Sequence, residues 1–176
     1  MRIHRLVPAA ALVAVAVTAT AALAESSGAP VQVALFNPAQ IVAEKSSVSG
    51  VRLDLIYGAN QNVQGLDIGL VNHSHGNELG LQYGLVGYVE KNMTGWQDNA
   101  VNICKGEFTG LQSWLFNQGV TTNGLMWGFV NVTQHMHGVM VGVLNMTETM
   151  HGLQIGVANV IQKGKTPFLP IINWSS

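Results

Sequence analysis

Residues 124–137 read GLMWGFVNVTQHMH, residues 138–151 read GVMVGVLNMTETMH, and residues 152–165 read GLQIGVANVIQKGK. A motif close to G-L-Q-x-G-L-V-N therefore opens three consecutive units of equal length. Outward from this stretch the same glycine recurs at a nearly constant spacing, at Gly50, Gly65, Gly80, Gly95, Gly110, Gly124, Gly138 and Gly152. Self-similarity at a fixed period indicates a repeat architecture, in which each unit packs against its neighbours.

Apolar residues alternate within each unit, counted from its glycine as position one. Positions two, four and six are mostly apolar, as in Leu153, Ile155 and Val157, whereas position three is often Gln and position five is often Gly. A period of two is typical of β-strands, and each glycine would cost a helix about 1 kcal/mol relative to Ala. The pattern predicts an all-β chain, with aliphatic columns inside and the face rich in Gln, Met and Gly outside.

Two all-β architectures fit units of this length. In a β-solenoid of about eight coils, each unit is one coil and like positions stack. In an eight-stranded up-and-down β-barrel, each unit is one strand plus a hairpin, and strands of about 9–11 residues can cross a bilayer. Turns of a membrane barrel usually differ in length, whereas these linkers are uniformly short, and Trp96, Trp114 and Trp127 form no girdle. The sequence favours the solenoid, with the barrel as the alternative.

Position eight is Asn in six units, at the place where the alternation ends. Asn tolerates the left-handed turn conformation, and its amide group both donates and accepts hydrogen bonds. Stacked Asn side chains can therefore form a ladder that satisfies polar groups at a corner. The predicted structural ladder comprises Asn72, Asn102, Asn117, Asn131, Asn145 and Asn159. The other interpretation is that Asn merely ends each strand.

The N-terminal segment differs from the repeats. It carries two arginines and a mostly apolar stretch, and it ends on Ala22-Leu23-Ala24. This pattern predicts a secretory signal peptide over residues 1–24. Cys104 is the single cysteine and lies far from that point, which argues against an internal disulfide and a lipid anchor on cysteine. We therefore expect an exported protein at the cell surface, in the outer membrane or in the periplasm.

The rest of the chain divides into three parts. We expect residues 25–49 to form a linker and an N-terminal cap strand, residues 50–165 the tandem repeat domain, and residues 166–176 a C-terminal cap. Caps are expected because a stacked array exposes strand edges at both of its ends. Pro167 and Pro170 support the second cap, since proline offers no backbone N–H to a further strand.

The stretch VSGVRLDLIYGANQNVQGLDIGLVN (residues 48–72), the G-L-Q-I-G-type units and PFLPIINW (residues 167–174) together resemble the bacterial surface repeat-containing proteins. Members of that family carry a signal peptide and tandem GLQIGLVN-like units. The resemblance covers roughly residues 31–174. It implies a repeat protein of the cell surface, and the family has no established activity that the resemblance could transfer to this chain.

The fourth and fifth units depart from the family pattern. The expected Ile and Gly are replaced there by Asp98, Asn99, Ser113 and Trp114. Asp98 and Ser113 share position four of successive units, so a solenoid would make them neighbours at a strand spacing of about 4.8 Å. Polar side chains in apolar positions cost stability unless they bond each other, water or a ligand. These four residues are the candidate binding patch, and the other interpretation is a local bulge turned to solvent.

Histidines occur in unit two and again in units six and seven. They are His73, His75, His135, His137 and His151. Neutral imidazoles suit a divalent metal ion, and His137 and His151 share the last position of consecutive units. Only Glu148 offers a carboxylate near the second group, however, and histidines are common in exposed turns. We therefore predict no metal site.

Motifs for catalysis are missing from the sequence, which has no G-x-S-x-G elbow, P-loop or H-E-x-x-H. Asp54 and Asp67 could form a carboxylate pair, but neighbouring Arg52 and their outward-facing positions predict solvated side chains. A net charge of −1 and 10% charged residues provide no basic stripe for nucleic acid.

We therefore expect a non-enzymatic protein without a cofactor, with a structural or binding role at the cell envelope. No motif identifies its partner, which would be an envelope component or an extracellular ligand. The alternative is a small integral outer-membrane β-barrel protein, for which association with the membrane is the defining interaction.

Overall fold

The computed structural model describes residues 28–176, so the predicted signal peptide lies outside the described residues. Its strands, in chain order, are β1 (Ala29–Phe36), β2 (Ala39–Gln40), β3 (Val48–Asn60), β4 (Val63–Ser74), β5 (Glu78–Val89), β6 (Met93–Cys104), β7 (Glu107–Gln118), β8 (Thr121–Ile161) and β9 (Phe168–Ser175). Coils about 15 residues apart stack into a β-solenoid of about 7 turns. Within this part of the chain no helix has the length and apolarity needed to span a membrane.

Neighbouring units pair in parallel and in register. Gly50 pairs with Gly65 and Gly65 with Gly80, and the same register continues from β5 through to β8. Like positions therefore lie directly upon one another, which confirms the predicted solenoid. The alternative of an up-and-down barrel is wrong, because consecutive strands of such a barrel run antiparallel.

Glycine at position one is required by the backbone at each coil. The eight glycines there have φ between 123° and 149°, a backbone conformation that residues with a Cβ rarely adopt. A Cβ on Gly138 would also collide with the carbonyl oxygen of Gly124, and the same contact recurs from coil to coil. The column of glycines therefore aligns the coils.

The faces of the strands are opposite to those expected from the sequence. Position three is buried in all eight units, as Arg52, Asp67, Gln82, Gln97, Gln112, Met126, Met140 and Gln154. Positions four and six point outward, and Leu70 and Val157 at position six are 47% and 70% exposed. The predicted aliphatic interior is therefore wrong. A period of two is the same whichever face is buried, so the pattern alone did not determine the inward face.

Stacked glutamines satisfy part of this polar interior. Gln97 donates from Nε2 to Gln82 Oε1 at 2.9 Å, and Gln112 donates to Gln97 Oε1 at 2.8 Å. The column then changes to Met126 and Met140, and Gln112 Oε1 has no partner among the described residues. The glutamine ladder therefore spans units three to five and ends where methionine begins.

A second ladder runs through position eight. Asn102, Asn117, Asn131, Asn145 and Asn159 are linked in that order, each donating to the next at 2.7–2.8 Å. Asn72 stands apart, because Gly87 occupies the intervening position. Its Nδ2 donates instead to the backbone oxygen of Tyr83 at 3.0 Å. The asparagines of the last five units therefore form one continuous ladder.

Apolar side chains occupy other parts of the interior in small clusters. One cluster contains Met126, Met136, Met140, Met150 and Ile161, and another contains Val89, Met93, Cys104 and Phe108. Four of the five members of the first cluster are methionines, whose flexible side chains fill irregular space. Amide ladders and small apolar clusters thus share the interior.

Both ends of the solenoid carry additional strands. β1 pairs in parallel with β3, so Ala29–Phe36 lies in the first coil, within the region predicted as linker and cap. β9 pairs antiparallel with the last coil, from Gly152 opposite Ser175 to Val160 opposite Phe168. The strand from Phe168 therefore covers the edge that the last coil would otherwise expose.

We predict that Gln97→Met lowers the free energy of unfolding by about 1–3 kcal/mol, because Gln112 Nε2 loses its buried acceptor. Urea denaturation followed by circular dichroism measures this change. Met126→Leu is the matched control in the same column, and this volume-conserving change should cost less than about 1.5 kcal/mol. Equal losses in the two variants would contradict a stabilising role for the glutamine ladder.

Candidate binding surface

Outward positions four and six form an apolar face along the coils, interrupted in unit four by Asp98 and Ala100. Its members are Leu53, Leu55, Ile68, Leu70, Tyr83, Leu85, Leu115, Trp127, Phe129, Val143, Ile155 and Val157. Each of these side chains is at least 37% exposed. An exposed apolar surface that extends along the coils marks an interaction site in a folded protein. We refer to it as the apolar face.

Two open grooves run along the apolar face. The larger has a volume of about 1050 Å³ and is lined by residues of units four to eight, including Trp127 and Phe129. The smaller has about 570 Å³ and is lined by residues near the N-terminal end, including Leu70 and Tyr83. Trp114 lines both grooves and therefore lies between them.

Trp114 reaches the surface because of its backbone conformation. Position five otherwise points inward, and Asp54 and Asn99 at that position are buried. Trp114 has φ of 114°, one of two non-glycine residues with positive φ among residues 28–176, and it is 52% exposed. Such a conformation in a bulky residue costs free energy, of order 1–3 kcal/mol. The strained backbone therefore presents an indole ring on the apolar face.

Asp98 and Ser113 form a hydrogen-bonded pair within the larger groove. Ser113 Oγ donates to Asp98 Oδ1 at 2.6 Å, and Trp96 Nε1 donates to Ser113 Oγ at 2.7 Å. The stacked strands place the two residues opposite each other. Among the described residues, Asp98 is the one whose charged side chain reaches the apolar face, because Asp54 beside the smaller groove is buried. The hydrogen bond of Asp98 with Ser113 reduces the cost of a carboxylate in apolar surroundings.

The fourth residue of the predicted patch lies elsewhere. Asn99 is fully buried, and its Nδ2 donates to Asn102 Oδ1 at 2.8 Å and to Gln82 Oε1 at 3.2 Å. It therefore connects the two amide ladders of the interior. The structure thus brings Asp98, Ser113 and Trp114 together on one groove and places Asn99 inside the scaffold.

The other exposed or partly exposed charges lie in or beside the turns between coils, with Glu107 and Glu148 inside the strands β7 and β8. They are Glu44, Lys45, Glu90, Lys91, Lys105, Glu107, Glu148, Lys163 and Lys165. Several pair with neighbours, as Lys163 does with Glu148 at 2.6 Å. We refer to these turns as the charged edge. The exterior is therefore divided between an apolar face and a charged edge.

Four ionisable side chains are buried inside the first units, namely Arg52, Asp54, Asp67 and Glu78. Arg52 donates from Nε and Nη2 to the two carboxylate oxygens of Asp67, at 2.7 and 2.6 Å. Glu78 accepts from Ser74 Oγ at 2.7 Å. The prediction that Asp54 and Asp67 are solvated is wrong, because positions three and five point inward.

Burial changes the protonation of these acids. It raises the pKa of Asp54 to about 7, although Arg52 Nε lies 3.2 Å away and opposes the shift. Neither carboxyl oxygen of Asp54 accepts a hydrogen bond within the described residues. Burial and the charge of Asp67 also raise the pKa of Glu78. The interior therefore contains the bidentate pair of Arg52 with Asp67, and two further acids, Asp54 and Glu78, whose pKa values lie above their ordinary values.

The histidines form two separate groups in the structure. His137 and His151 stack with ring centroids 5.1 Å apart and planes 6° from parallel. His73 and His75 instead meet Glu90, a residue that the sequence analysis did not connect with them. Burial lowers the pKa of His73, whereas the hydrogen bond with Glu90 raises the pKa of His75. The available signal was that His75 and Glu90 are one coil apart in the sequence.

Comparison with protein-family models, with curated proteins and with solved structures gives no match to this chain. The resemblance of its repeats to bacterial surface repeat-containing proteins therefore stays a prediction. The observations that bear on function are the divided exterior and the side chains that it carries.

We predict that the protein becomes less stable as the pH rises from about 4 to about 7. The pKa of Asp54 is raised from 3.8 to about 7, so the folded chain binds this proton more tightly than the unfolded chain. The resulting stabilisation is complete below the unfolded pKa and is lost as the pH rises through the folded pKa. Thermal unfolding at a series of pH values measures the loss.

Asp54→Asn removes this titration and should therefore show a weaker dependence of stability on pH over the same range. Gln64→Ala, which alters an exposed site and removes no ionisable group, is the control and should leave the wild-type dependence in place. An unchanged dependence in Asp54→Asn would contradict the assignment to Asp54.

Proposed function

We propose that this protein is an exported, non-enzymatic component of the cell envelope that binds a lipid surface through its apolar face. The observation that carries the proposal is the division of its exterior, with exposed apolar side chains along the coils and charges gathered in the turns. A surface of this kind lies at a membrane interface with its apolar side among acyl chains and its charged side in water.

The shape of the apolar surface favours lipid over a protein partner. Position six is exposed and the following position seven is partly exposed in most units, which interrupts the alternation and forms a ridge along the coils. Position six is the most exposed part of this ridge, with Leu55 at 66%, Phe129 at 60% and Val157 at 70%. A flat protein surface would cover one side of such a ridge. Acyl chains are fluid and can surround both sides.

The exposed tryptophans also favour binding to lipid. Trp96, Trp114, Trp127 and Trp174 are each at least 44% exposed. Tryptophan is enriched where a protein crosses from hydrocarbon to water, because its ring is apolar and its N–H is polar. Asp98 is the single charge that the described chain brings to this face, and its hydrogen bond to Ser113 lowers the cost of bringing it towards lipid.

A flotation experiment tests the proposal. The purified chain, without residues 1–24, is mixed with phosphatidylcholine vesicles and centrifuged through a density gradient. We predict that the wild-type protein floats with the vesicles and stays bound in high salt, because apolar contacts are not screened. Protein that stays at the bottom of the gradient, or that salt releases, contradicts binding through the apolar face.

Matched variants locate the contact. Phe129→Glu combined with Val157→Glu puts two charges on the ridge and should reduce vesicle binding at least tenfold. Gln64→Glu combined with Gln162→Glu adds the same charge at exposed sites outside the apolar face and should change binding less than twofold. Similar binding by both double variants would contradict the proposed contact. A dimer in solution that only the ridge variant abolishes would assign the face to a second copy instead.

A further inference from the structure

Two imidazoles and one carboxylate converge on the charged edge at units two and three. His73 Nε2 lies 2.9 Å from Glu90 Oε1, and His75 Nδ1 lies 2.9 Å from the same oxygen. The two imidazole rings are 4.3 Å apart between centroids. These three side chains offer ligand atoms that all lie within 4.8 Å of one another.

The other nitrogen of each imidazole is held by a second partner. His73 Nδ1 lies 2.9 Å from the hydroxyl oxygen of Tyr57, and His75 Nε2 lies 2.7 Å from Glu44 Oε1. Histidines that ligate metals almost always donate their remaining N–H to a carboxylate, carbonyl or water, which orients the ring. His75 therefore has the carboxylate contact that is typical of a metal ligand, and the hydroxyl oxygen of Tyr57 can accept the N–H of His73 and orient its ring.

The two carboxylates that contact His75 favour a positive charge on or beside its imidazole ring. Its two ring nitrogens face Glu44 and Glu90, and ionised carboxylates only accept hydrogen bonds. A neutral imidazole carries one N–H and can satisfy one of them. If His75 donates to Glu44, its Nδ1 lone pair faces Glu90 Oε1, and the two atoms repel unless a proton or a metal ion lies between them.

We propose that His73 Nε2, His75 Nδ1 and Glu90 bind one divalent transition-metal ion, for which Zn²⁺ is the best match. Two imidazole nitrogens and one carboxylate oxygen are a ligand set for zinc, with a fourth position left for water. Tetrahedral bonds of about 2.0–2.1 Å place ligand atoms about 3.3 Å apart. The present separations of 2.9 Å therefore need to widen by a few tenths of an ångström. The partly exposed side chains of His75 and Glu90 can make this adjustment.

The second histidine pair lacks these features and serves as an internal comparison. His137 and His151 stack at 5.1 Å, and among the described residues three convergent ligands occur at His73, His75 and Glu90 alone. A bound ion at the proposed site would link unit two to unit three, because His75 and Glu90 occupy the same position of successive coils.

Isothermal titration of the metal-free chain with zinc chloride tests the proposal, with magnesium chloride as the comparison ion. We expect one zinc ion per chain with a dissociation constant in the micromolar range or tighter, and no comparable binding of Mg²⁺, which prefers six oxygen ligands. Saturating zinc should also raise the unfolding temperature, since it binds the folded chain.

Variants separate this site from the rest of the chain. Glu90→Gln and His75→Ala should each weaken zinc binding at least tenfold, and Tyr57→Phe, which alters only the outer contact, by about tenfold. His137→Ala should bind as the wild type does. Circular dichroism spectra that match the wild type show that the weakened variants are folded.

Three results would overturn the inference. The first is the absence of zinc binding by the wild-type chain at about 100 μM, a concentration about a hundredfold above a micromolar constant. The second is binding that survives both Glu90→Gln and His75→Ala. The third is binding that His137→Ala abolishes, which would place the ion at the stacked histidine pair.

Discussion

Hydrogen bonds between stacked amides inside the coils determine both the register and the exterior of this protein. A glutamine or asparagine in one coil donates to the same residue type in a neighbouring coil, as Gln97 does to Gln82 and Asn131 does to Asn145. Such a bond forms only when like positions lie upon one another. The ladders satisfy much of the polar interior, although atoms such as Gln112 Oε1 stay unpaired among the described residues, and the apolar residues of the same strands face outward. The apolar face follows directly from this arrangement.

The backbone supports the same register independently of the amides. Glycine at position one permits a carbonyl contact between coils that any Cβ would block. The longer and the shorter units stack equally well, since Gly95 pairs with Gly110 and Gly110 with Gly124. The difference in length is therefore absorbed in the turns, where charged and polar residues are solvated. From β4 to β8 the strands keep one alignment, whereas the register of β3 shifts between Asp54 and Tyr57.

Much of the fold could be predicted from the sequence, and the inward face could not. The recurring glycine and the period of two indicated strands, coils and parallel stacking. The prediction of aliphatic columns inside was wrong because apolar residues are buried in most proteins, whereas here amides pair with amides in the interior. Arg52 and Asp67 carried a usable signal, since opposite charges at position three of successive units neutralise each other inside a stack. The candidate patch was predicted only in part. The sequence grouped Asn99 with Asp98, Ser113 and Trp114, whereas its side chain points into the interior.

The division of the exterior keeps the two proposed interactions apart. His73, His75 and Glu90 lie towards the charged edge, whereas the apolar face follows positions four and six on the other part of each coil. A lipid surface against Phe129 and Val157 would leave the turns in water, where a metal ion exchanges freely. Metal binding at the charged edge would leave the apolar face unchanged, since the ion contacts no residue of that face. The same stacking that makes the strands amphipathic therefore provides two surfaces with independent chemistry.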